Sequence, residues 1–342
     1  MHLCRPLITA AAFVAAAAVG ARAAPAPYAL DRSFSLPFPA GVERITALAP
    51  SVDAASGAQL LFALQRGVTV PFLCRFAAGA SPGAAWTGGC TLGSNETMDS
   101  PHGSACFADA APNSDLLVTD IAGGTVKRFS QAGALLNVGG RQGHPGTGLS
   151  PLQFSAPADV AVTSAGLVVV SDGDGGAANR VVALASPAQL DTLVWAVGKN
   201  GSAPGEFFSP HSIAYDTVGD TLYVADRGNS RIVALAPASG AVRATWEATA
   251  CFPGGTPWGL RVDEAQRRLV VADGTHMALM VFDLSAQGCA LAANISVPAE
   301  ICGVPHELAI MATQPRDVYL ACVGGTAPPT AGPTSVLRFA AQ

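Results

Sequence analysis

Charged side chains and long apolar runs are both scarce in this chain of 342 residues. Only 13% of the residues are charged, and the formal net charge is −5. A chain with few charged residues and a slightly negative net charge is a poor match for nucleic acids and anionic membranes, which carry negative charge themselves. After residue 23, no segment is long and apolar enough to span a bilayer, which takes about 20 residues. We therefore expect the mature chain to be soluble.

Three further patterns are absent. The sequence shows no apolar period of 3.6 residues, which argues against a helical solenoid. It has no evident Ser-His-Asp or Cys-His arrangement of the kind that supports nucleophilic catalysis. The acidic stretch 172–176 lacks the further oxygen ligands and the terminal Glu of an EF-hand loop, so we interpret it as a turn between strands.

The longest apolar run lies at the N-terminus. Residues 1–23 contain Arg5, an apolar core over 7–19 and a final Ala-Arg-Ala. This order predicts a secretory signal peptide, because the core is shorter than a membrane span; an Ala-rich anchoring helix is the alternative. Export into the secretory pathway also agrees with three glycosylation sequons, at Asn95, Asn200 and Asn294.

Seven cysteines remain after residue 23. In an oxidising compartment most of them should pair, and the odd number leaves one thiol over. The sequence does not fix the pairing. Proximity along the chain suggests Cys74–Cys90, Cys251–Cys289 and Cys302–Cys322, with Cys106 free.

A repeated unit fills most of the chain. Five units begin with a proline, continue through a short apolar strand and a turn, and reach a second strand that ends on Asp in all but the last unit. The prolines lie 56, 53, 47 and 48 residues apart, at Pro101, Pro157, Pro210, Pro257 and Pro305. A degenerate sixth unit begins at 45–66, and further strands follow in each unit.

Four short strands repeated at this spacing are typical of propeller blades. No unit can bury both of its faces alone, so the units must pack side by side around an axis. We predict an all-β fold, a six-bladed β-propeller with four-stranded blades around a central channel. The domain is expected to cover 43–342, after a signal peptide at 1–23 and an N-terminal segment at 24–42.

Three histidines share one register of the repeat. His102, His211 and His306 each follow the repeated proline, in blades 2, 4 and 6, whereas blades 3 and 5 carry Ala158 and Trp258 there. Alternate blades of a six-fold ring are related by about 120°, so three such imidazoles can point at one locus in the channel. Three imidazoles and one open position form the ligand set of a catalytic zinc site, although iron and copper use the same nitrogens.

Two arginines are expected at the same face of the propeller. Arg227 follows the Asp that ends the second strand of blade 4, and Arg66 ends the corresponding strand of blade 1. Either guanidinium could hold a substrate carboxylate through paired hydrogen bonds. The alternative for each is an ordinary surface ion pair.

The units resemble NHL repeats through the stretch Val224-Ala-Asp-Arg-Gly-Asn-Ser-Arg-Ile232. The run 101–231 further resembles the lyase domain of peptidylglycine α-amidating enzymes, in Pro101-His-Gly, in Gly205-Glu-Phe-Phe-Ser-Pro-His-Ser212 and in Ala225-Asp-Arg227. Pro305-His306 completes the set. The resemblance implies that His102, His211 and His306 bind zinc and that Arg66 and Arg227 belong to the active site.

The implied reaction cleaves a C-terminal α-hydroxyglycine to a peptide amide and glyoxylate. A separate monooxygenase would then supply the substrate, because this chain lacks that domain. The family's tyrosine base after Asp172-Gly173 is missing, and Asp174 is the candidate that replaces it. Glu307 stands where the family has an aspartate that binds a structural calcium ion, which makes calcium a second candidate cofactor.

The leading prediction is thus a secreted, zinc-dependent lyase acting on a peptide or a small carboxylated substrate. The alternative is a non-catalytic NHL propeller that binds a partner and retains a degenerate lyase site. A sugar-lactonase-like propeller is less consistent with the sequence, because it would need a carboxylate-rich calcium centre instead of three histidines.

Overall fold

The computed structural model describes residues 26–42, 44–53, 56–66, 71–79, 84–93, 98–107, 115–286, 288–311, 316–323 and 336–342. Within these residues the chain forms six antiparallel sheets of four strands each. The predicted six-bladed β-propeller is confirmed. The predicted signal peptide at 1–23 lies outside the described residues.

In blades 1 to 5 the four strands follow the order of the chain from the central channel outward. The first strand, β1, is Tyr28–Asp31. Blade 1 contains β2 (Ile45–Val52), β3 (Gln59–Gln65), β4 (Leu73–Ala77) and β5 (Thr87–Leu92). Blade 2 contains β6 (Pro101–Phe107), β7 (Asp115–Asp120), β8 (Thr125–Phe129) and β9 (Leu135–Gly140). Blade 3 contains β10 (Pro157–Val162), β11 (Val168–Asp172), β12 (Arg180–Ser186) and β13 (Gln189–Val197).

The second half of the ring repeats this order. Blade 4 contains β14 (Pro210–Asp216), β15 (Thr221–Asp226), β16 (Arg231–Leu235) and β17 (Val242–Trp246). Blade 5 contains β18 (Pro257–Asp263), β19 (Arg268–Asp273), β20 (Ala278–Asp283) and β21 (Leu291–Ser296). Blade 6 contains β22 (Val304–Ile310), β23 (Val318–Val323) and β24 (Val336–Ala341), with β1 as its outer strand. A single turn of α-helix, α1 (Ala248–Cys251), links blades 4 and 5.

The strand β1 closes the ring. From the sequence, β1 is expected in the N-terminal segment 24–42, before the propeller. In the structure β1 pairs antiparallel with β24 over four residues. Tyr28 is buried, and its hydroxyl donates a hydrogen bond of 2.8 Å to Asp263 of blade 5. The outer strand of blade 6 therefore comes from the N-terminal segment.

The hydrophobic core is divided among the interfaces between neighbouring blades. Each of six buried clusters combines side chains from two adjacent blades, for example Val118 and Leu60 between blades 2 and 1. Strands such as β3 are buried almost without interruption because both faces of the blade are covered, whereas the outer strand β17 is largely exposed. Each fully buried Leu, Val or Phe contributes roughly 1.5–3 kcal/mol to folding.

The three predicted disulfide pairs are confirmed. Cys74–Cys90 joins the two outer strands of blade 1, Cys251–Cys289 links the loops of blades 4 and 5, and Cys302–Cys322 lies in blade 6. The prediction that Cys106 stays free concerns a side chain outside the described part of the chain. None of the helices in the described residues has the length and hydropathy of a membrane span.

Candidate metal centre

All six inner strands carry an irregularity at one register. Pairing between the first and second strands shifts just after the repeated proline in blades 2 to 6, and just after Ile45 in blade 1. A bulge of this kind re-aims the side chain beside it, here toward the channel. The residues at this register are Thr46, His102, Ala158, His211, Trp258 and His306.

The three histidines meet at the centre of the ring. Their ring centroids lie 4.8 to 4.9 Å apart, and one nitrogen from each lies within 4.8 Å of the other two. The exposed fractions of His102, His211 and His306 are 2%, 0% and 4%. The alternation predicted from the sequence thus places the three imidazoles around one point.

The alternate blades fix how each imidazole is protonated. Nδ1 of His102 lies 2.8 Å from the carbonyl oxygen of Ala158, and Nδ1 of His211 lies 2.9 Å from that of Trp258. Nδ1 of His306 lies 2.8 Å from the carbonyl oxygen of Thr46. A carbonyl oxygen only accepts, so each Nδ1 carries the proton and donates it. In the neutral form of each ring, Nε2 then carries the lone pair.

These lone pairs fit a transition metal. Nε2 of His211 is buried and has no hydrogen-bond partner among the described residues, an arrangement that is costly unless a cation binds there. Burial, and then the neighbouring His211, lower the pKa of His102 to about 3, and burial likewise lowers the pKa of His306. The rings of His102 and His306 therefore stay neutral at physiological pH, which is the form that binds metal. Carbonyl partners at Nδ1 are the usual outer support of metal-binding histidines.

Asp174 reaches into the same centre from the turn after β11. Its Oδ2 lies 3.4 Å from Nε2 of His102 and 3.9 Å from Nε2 of His211. Its Oδ1 accepts a hydrogen bond of 2.5 Å from Arg227. Burial would raise the pKa of Asp174, but the histidines and the guanidinium groups of Arg227 and Arg66 hold it at about 2. Asp174 is therefore a carboxylate throughout the physiological range.

The two predicted arginines occupy different environments. Arg227 also donates to the hydroxyl of Ser209 at 2.9 Å, and its Cζ lies 4.3 Å from the ring centroid of Trp258. Arg66 donates from Nε to the carbonyl oxygen of Pro101 at 3.0 Å. Arg227 is thus in direct contact with Asp174, whereas Arg66 acts on the centre through its charge.

A cavity opens beside Trp258, whose ring centroid lies 5.3 Å from that of His211 and 5.6 Å from that of His306. It has a volume of about 550 Å³. Its lining combines the arginine, two aromatic rings and the glycines of the turn that carries Asp174, and includes Gly173, Gly175, Phe208, Ser209, Arg227 and Trp258. A site of this size takes a small organic ligand or the end of a peptide.

A second polar cluster fills the channel next to the histidines. Nη1 of Arg261 lies 2.8 Å from Oδ2 of Asp159 and 3.4 Å from Oε2 of Glu307. The hydroxyl of Ser212 donates to Asp159 at 2.8 Å and lies 3.3 Å from Glu307. Burial, and then the nearby Asp159, raise the pKa of Glu307 to about 7.

This second cluster does not fit calcium. The charged oxygen donors of this cluster are the carboxylates of Asp159 and Glu307, and the Arg261 guanidinium lies against both. The same guanidinium donates to the carbonyl oxygens of Leu260 and Ser104, and so occupies the oxygens that a cation would need. A calcium ion needs six to eight oxygen ligands and tolerates no cation at this distance. Arg261 supplies the positive charge instead.

Arg261 and Asp159 were not predicted as site residues, although the sequence contains a signal for the arginine. Four positions after the repeated proline, or after Ile45 in blade 1, the other five blades carry alanine, at Ala49, Ala105, Ala161, Ala214 and Ala309. The single arginine in this ring is visible once the blades are aligned. Gly103 is required by the same crowding, because a Cβ there would lie 2.2 Å from the Ala158 carbonyl oxygen that binds His102.

Comparisons with known proteins agree with this architecture. The NHL repeat family profile matches residues 207–235, within blade 4. Solved propellers share the fold alone: a luciferin-regenerating enzyme superimposes with a TM-score of 0.57 at 10% identity, over 89% of this chain and 94% of that one.

Two relatives are similar in sequence. Peptidylglycine alpha-amidating monooxygenase of Rattus norvegicus is 38% identical over 138 residues, which cover 39% of this chain and 13% of that protein. NHL repeat-containing protein 3 of Mus musculus is 32% identical over 283 residues, which cover 80% of this chain and 76% of the relative. The chain therefore belongs to the family of NHL repeat-containing protein 3, as an NHL-repeat β-propeller with a three-histidine cluster at its axis.

Proposed function

We propose that this protein is a secreted, zinc-dependent lyase of the amidating type, which cleaves C-terminal α-hydroxyglycine to a peptide amide and glyoxylate. The observation that carries the proposal is the convergence of three buried imidazoles close to Asp174 and Arg227, next to an open cavity. The similarity to an amidating monooxygenase supports this choice of substrate.

The three histidines would hold the metal. Their Nδ1 atoms are tied to backbone carbonyls, so the rings need little reorganisation when they bind it. Zinc held there would make a hydroxyl group more acidic and would polarise its oxygen. The three histidine nitrogens support the metal site more directly than they support any other part of the proposal.

Arg227 would bind the substrate carboxylate. The guanidinium lies at the wall of the cavity, packed on Trp258 and bound to Ser209, and so is held in a fixed orientation. Its planar donors match a carboxylate. Phe208 and Trp258 would contact the peptide residue that precedes the hydroxyglycine, since both line the cavity. Arg66 would add positive charge.

Asp174 is the candidate base. In the reaction, the hydroxyl loses its proton, the carbon–oxygen bond becomes a carbonyl, the carbon–nitrogen bond breaks and a proton returns to the amide nitrogen. Asp174 is close enough to the histidines to take the proton. Its pKa of about 2 makes it a weak base at neutral pH, so we expect slow turnover.

The surroundings of Asp174 also favour a second candidate function. Arg227 is already engaged by a carboxylate of this chain, and the tyrosine expected from the amidating family is missing. A propeller that binds a partner without catalysis would have both features. In that case the histidine cluster would remain as a structural metal site.

Secretion, glycosylation and a separate monooxygenase belong to the same proposal. The three disulfides are consistent with an oxidising compartment. The sequon residues Asn200 and Asn294 are exposed, as glycan attachment requires, whereas Asn95 lies outside the described residues. A hydroxylating enzyme must act first, because α-hydroxyglycine is the product of oxidising a terminal glycine.

The first test is the metal content of the purified, secreted protein. We expect about one zinc ion per chain by mass spectrometry, largely lost in His211→Ala because that change removes one of three ligands. His144→Ala is the matched control, since His144 is exposed and outside the ring. A peptide ending in α-hydroxyglycine should then release glyoxylate. Metal without glyoxylate would favour the binding propeller, and no metal after zinc reconstitution would exclude both uses of the site.

A further inference from the structure

We infer that Asp174 is an internal fourth donor, which closes the resting metal centre and occupies the place of a substrate carboxylate. The inference rests on the proposed metal site. It concerns how the centre is filled before a substrate arrives.

The first argument is that acceptors face each other across the centre. Nδ1 of His102 donates to the carbonyl oxygen of Ala158, which in the neutral ring leaves Nε2 as an acceptor. Asp174 Oδ2, a second acceptor, lies only 3.4 Å away. Two acceptors at this distance repel each other unless a positive charge lies between them. With zinc–ligand bonds of about 2.0–2.1 Å, neighbouring donors of a tetrahedral shell are about 3.3 Å apart. The separation of 3.4 Å from His102 is of that size, and the separation of 3.9 Å from His211 is longer by about 0.6 Å.

The second argument is that the two oxygens of Asp174 have different partners. Oδ2 faces the histidines, while Oδ1 is bound to Arg227 at 2.5 Å. An α-hydroxy acid would use the same two places, with its hydroxyl at the metal and its carboxylate on the arginine. One carboxylate of the chain therefore fills both places at once.

The third argument is that the turn carrying Asp174 is built to bring the side chain into the centre. Glycines stand on both sides of it, at Gly173, Gly175 and Gly176. Gly175 has φ +74°, a conformation that other residues rarely adopt. The backbone amides of Gly173 and Asp174 donate to the carbonyl oxygen of Ala156 at 3.0 and 3.3 Å, which holds the turn against the inner end of blade 3. Asp174 is thus part of a defined turn.

The test compares the wild type with Asp174→Ala and Asp174→Asn. Loss of a donor should weaken zinc binding, measured by competition with a chelator, by on the order of 10- to 100-fold. In the cobalt(II)-substituted proteins, glycolate should change the visible absorption spectrum of the two variants at low concentration, and that of the wild type only at a concentration at least ten times higher. Acetate, which lacks the hydroxyl, should act more weakly than glycolate. Asp191→Ala, which removes an exposed carboxylate from blade 3, should behave as the wild type.

The outcomes separate this inference from the proposed function. Equal zinc affinity in the wild type and both variants, with the same response to glycolate, would show that Asp174 does not bind the metal. The proposed three-histidine site would not be affected by that result. Absence of zinc and cobalt binding in the wild type would overturn both. Asp174→Asn keeps the shape of the side chain, so a loss of affinity in that variant with an unchanged circular dichroism spectrum would not be due to misfolding.

Discussion

At the scale of single residues, the centre of the channel contains one arginine at a repeat position where the other blades have alanine. Arg261 occupies a position at which the other five blades carry alanine, and its guanidinium binds Asp159 and Glu307. The histidines could be predicted because they recur at one register with the same neighbour, proline. Arg261 occurs once, so it is recognised only as a departure from the repeat.

Replacing this arginine should therefore be costly. We expect Arg261→Met to lower the free energy of unfolding by about 3–5 kcal/mol, because two buried carboxylates lose their counter-charge. Urea unfolding at neutral pH measures the change. The double variant Arg261→Met, Glu307→Gln should recover part of the loss, since it removes one carboxylate. Arg243→Met, at an exposed arginine on β17, is the control and should cost little.

If Arg261→Met is as stable as the wild type, the arginine does not hold the two carboxylates together.

The same set of proteins tests the cation preference of the channel. Calcium should leave the unfolding midpoint of the wild type unchanged and should raise that of Arg261→Met, in which the oxygens are freed. An equal response in both proteins would contradict the conclusion that Arg261 takes the place of a metal ion.

At the scale of elements, the blades are predictable and the closing strand is not. Proline spacing and paired apolar strands predict the blades because each unit repeats the same local pattern. The strand β1 has no such pattern, and its partner β24 lies at the other end of the chain. Only the assembled ring shows that these two strands meet. Asp174 was suggested by the family's missing tyrosine, but its contact with Arg227 depends on the packing of blades 3 and 4.

A change in β1 should weaken one blade more than the others. Tyr28→Ala removes a buried ring and the hydrogen bond to Asp263, and we expect a loss of about 3–5 kcal/mol in unfolding free energy. Hydrogen exchange should become faster at the amides of β24, which β1 covers. Ala29→Ser, at an exposed position of the same strand, is the control. Uniformly faster exchange in all six blades would contradict a local role for β1.

At the scale of the whole molecule, the three-histidine cluster connects every blade. Blades 2, 4 and 6 supply the imidazoles, and blades 1, 3 and 5 supply the carbonyls that orient them. An ion bound there would hold the inner strands of the entire ring. Local opening of any blade would displace either a histidine or the backbone carbonyl that accepts the Nδ1 hydrogen bond of a histidine.

Metal binding should accordingly be seen in global stability. At a free zinc concentration 100 times the dissociation constant, the folded state gains about 2.7 kcal/mol, so the midpoint of thermal unfolding should rise. A chelator should reverse the rise, and His211→Ala should show none of it. A zinc-dependent midpoint that persists in His211→Ala would assign the effect to another site.

The closing contact between β1 and β24 also has a consequence for the order of events during synthesis. The ribosome makes β1 first, yet the edge to which it binds exists only when the last blade has emerged. Blades 1 to 5 can form in sequence from nearby segments, while β1 waits as an unpaired strand. Contacts between such distant segments are slow to form. We therefore expect that a chain terminated before β24 forms an incomplete ring with two unpaired strand edges. In the full chain, we expect ring closure to be the last and slowest step of folding.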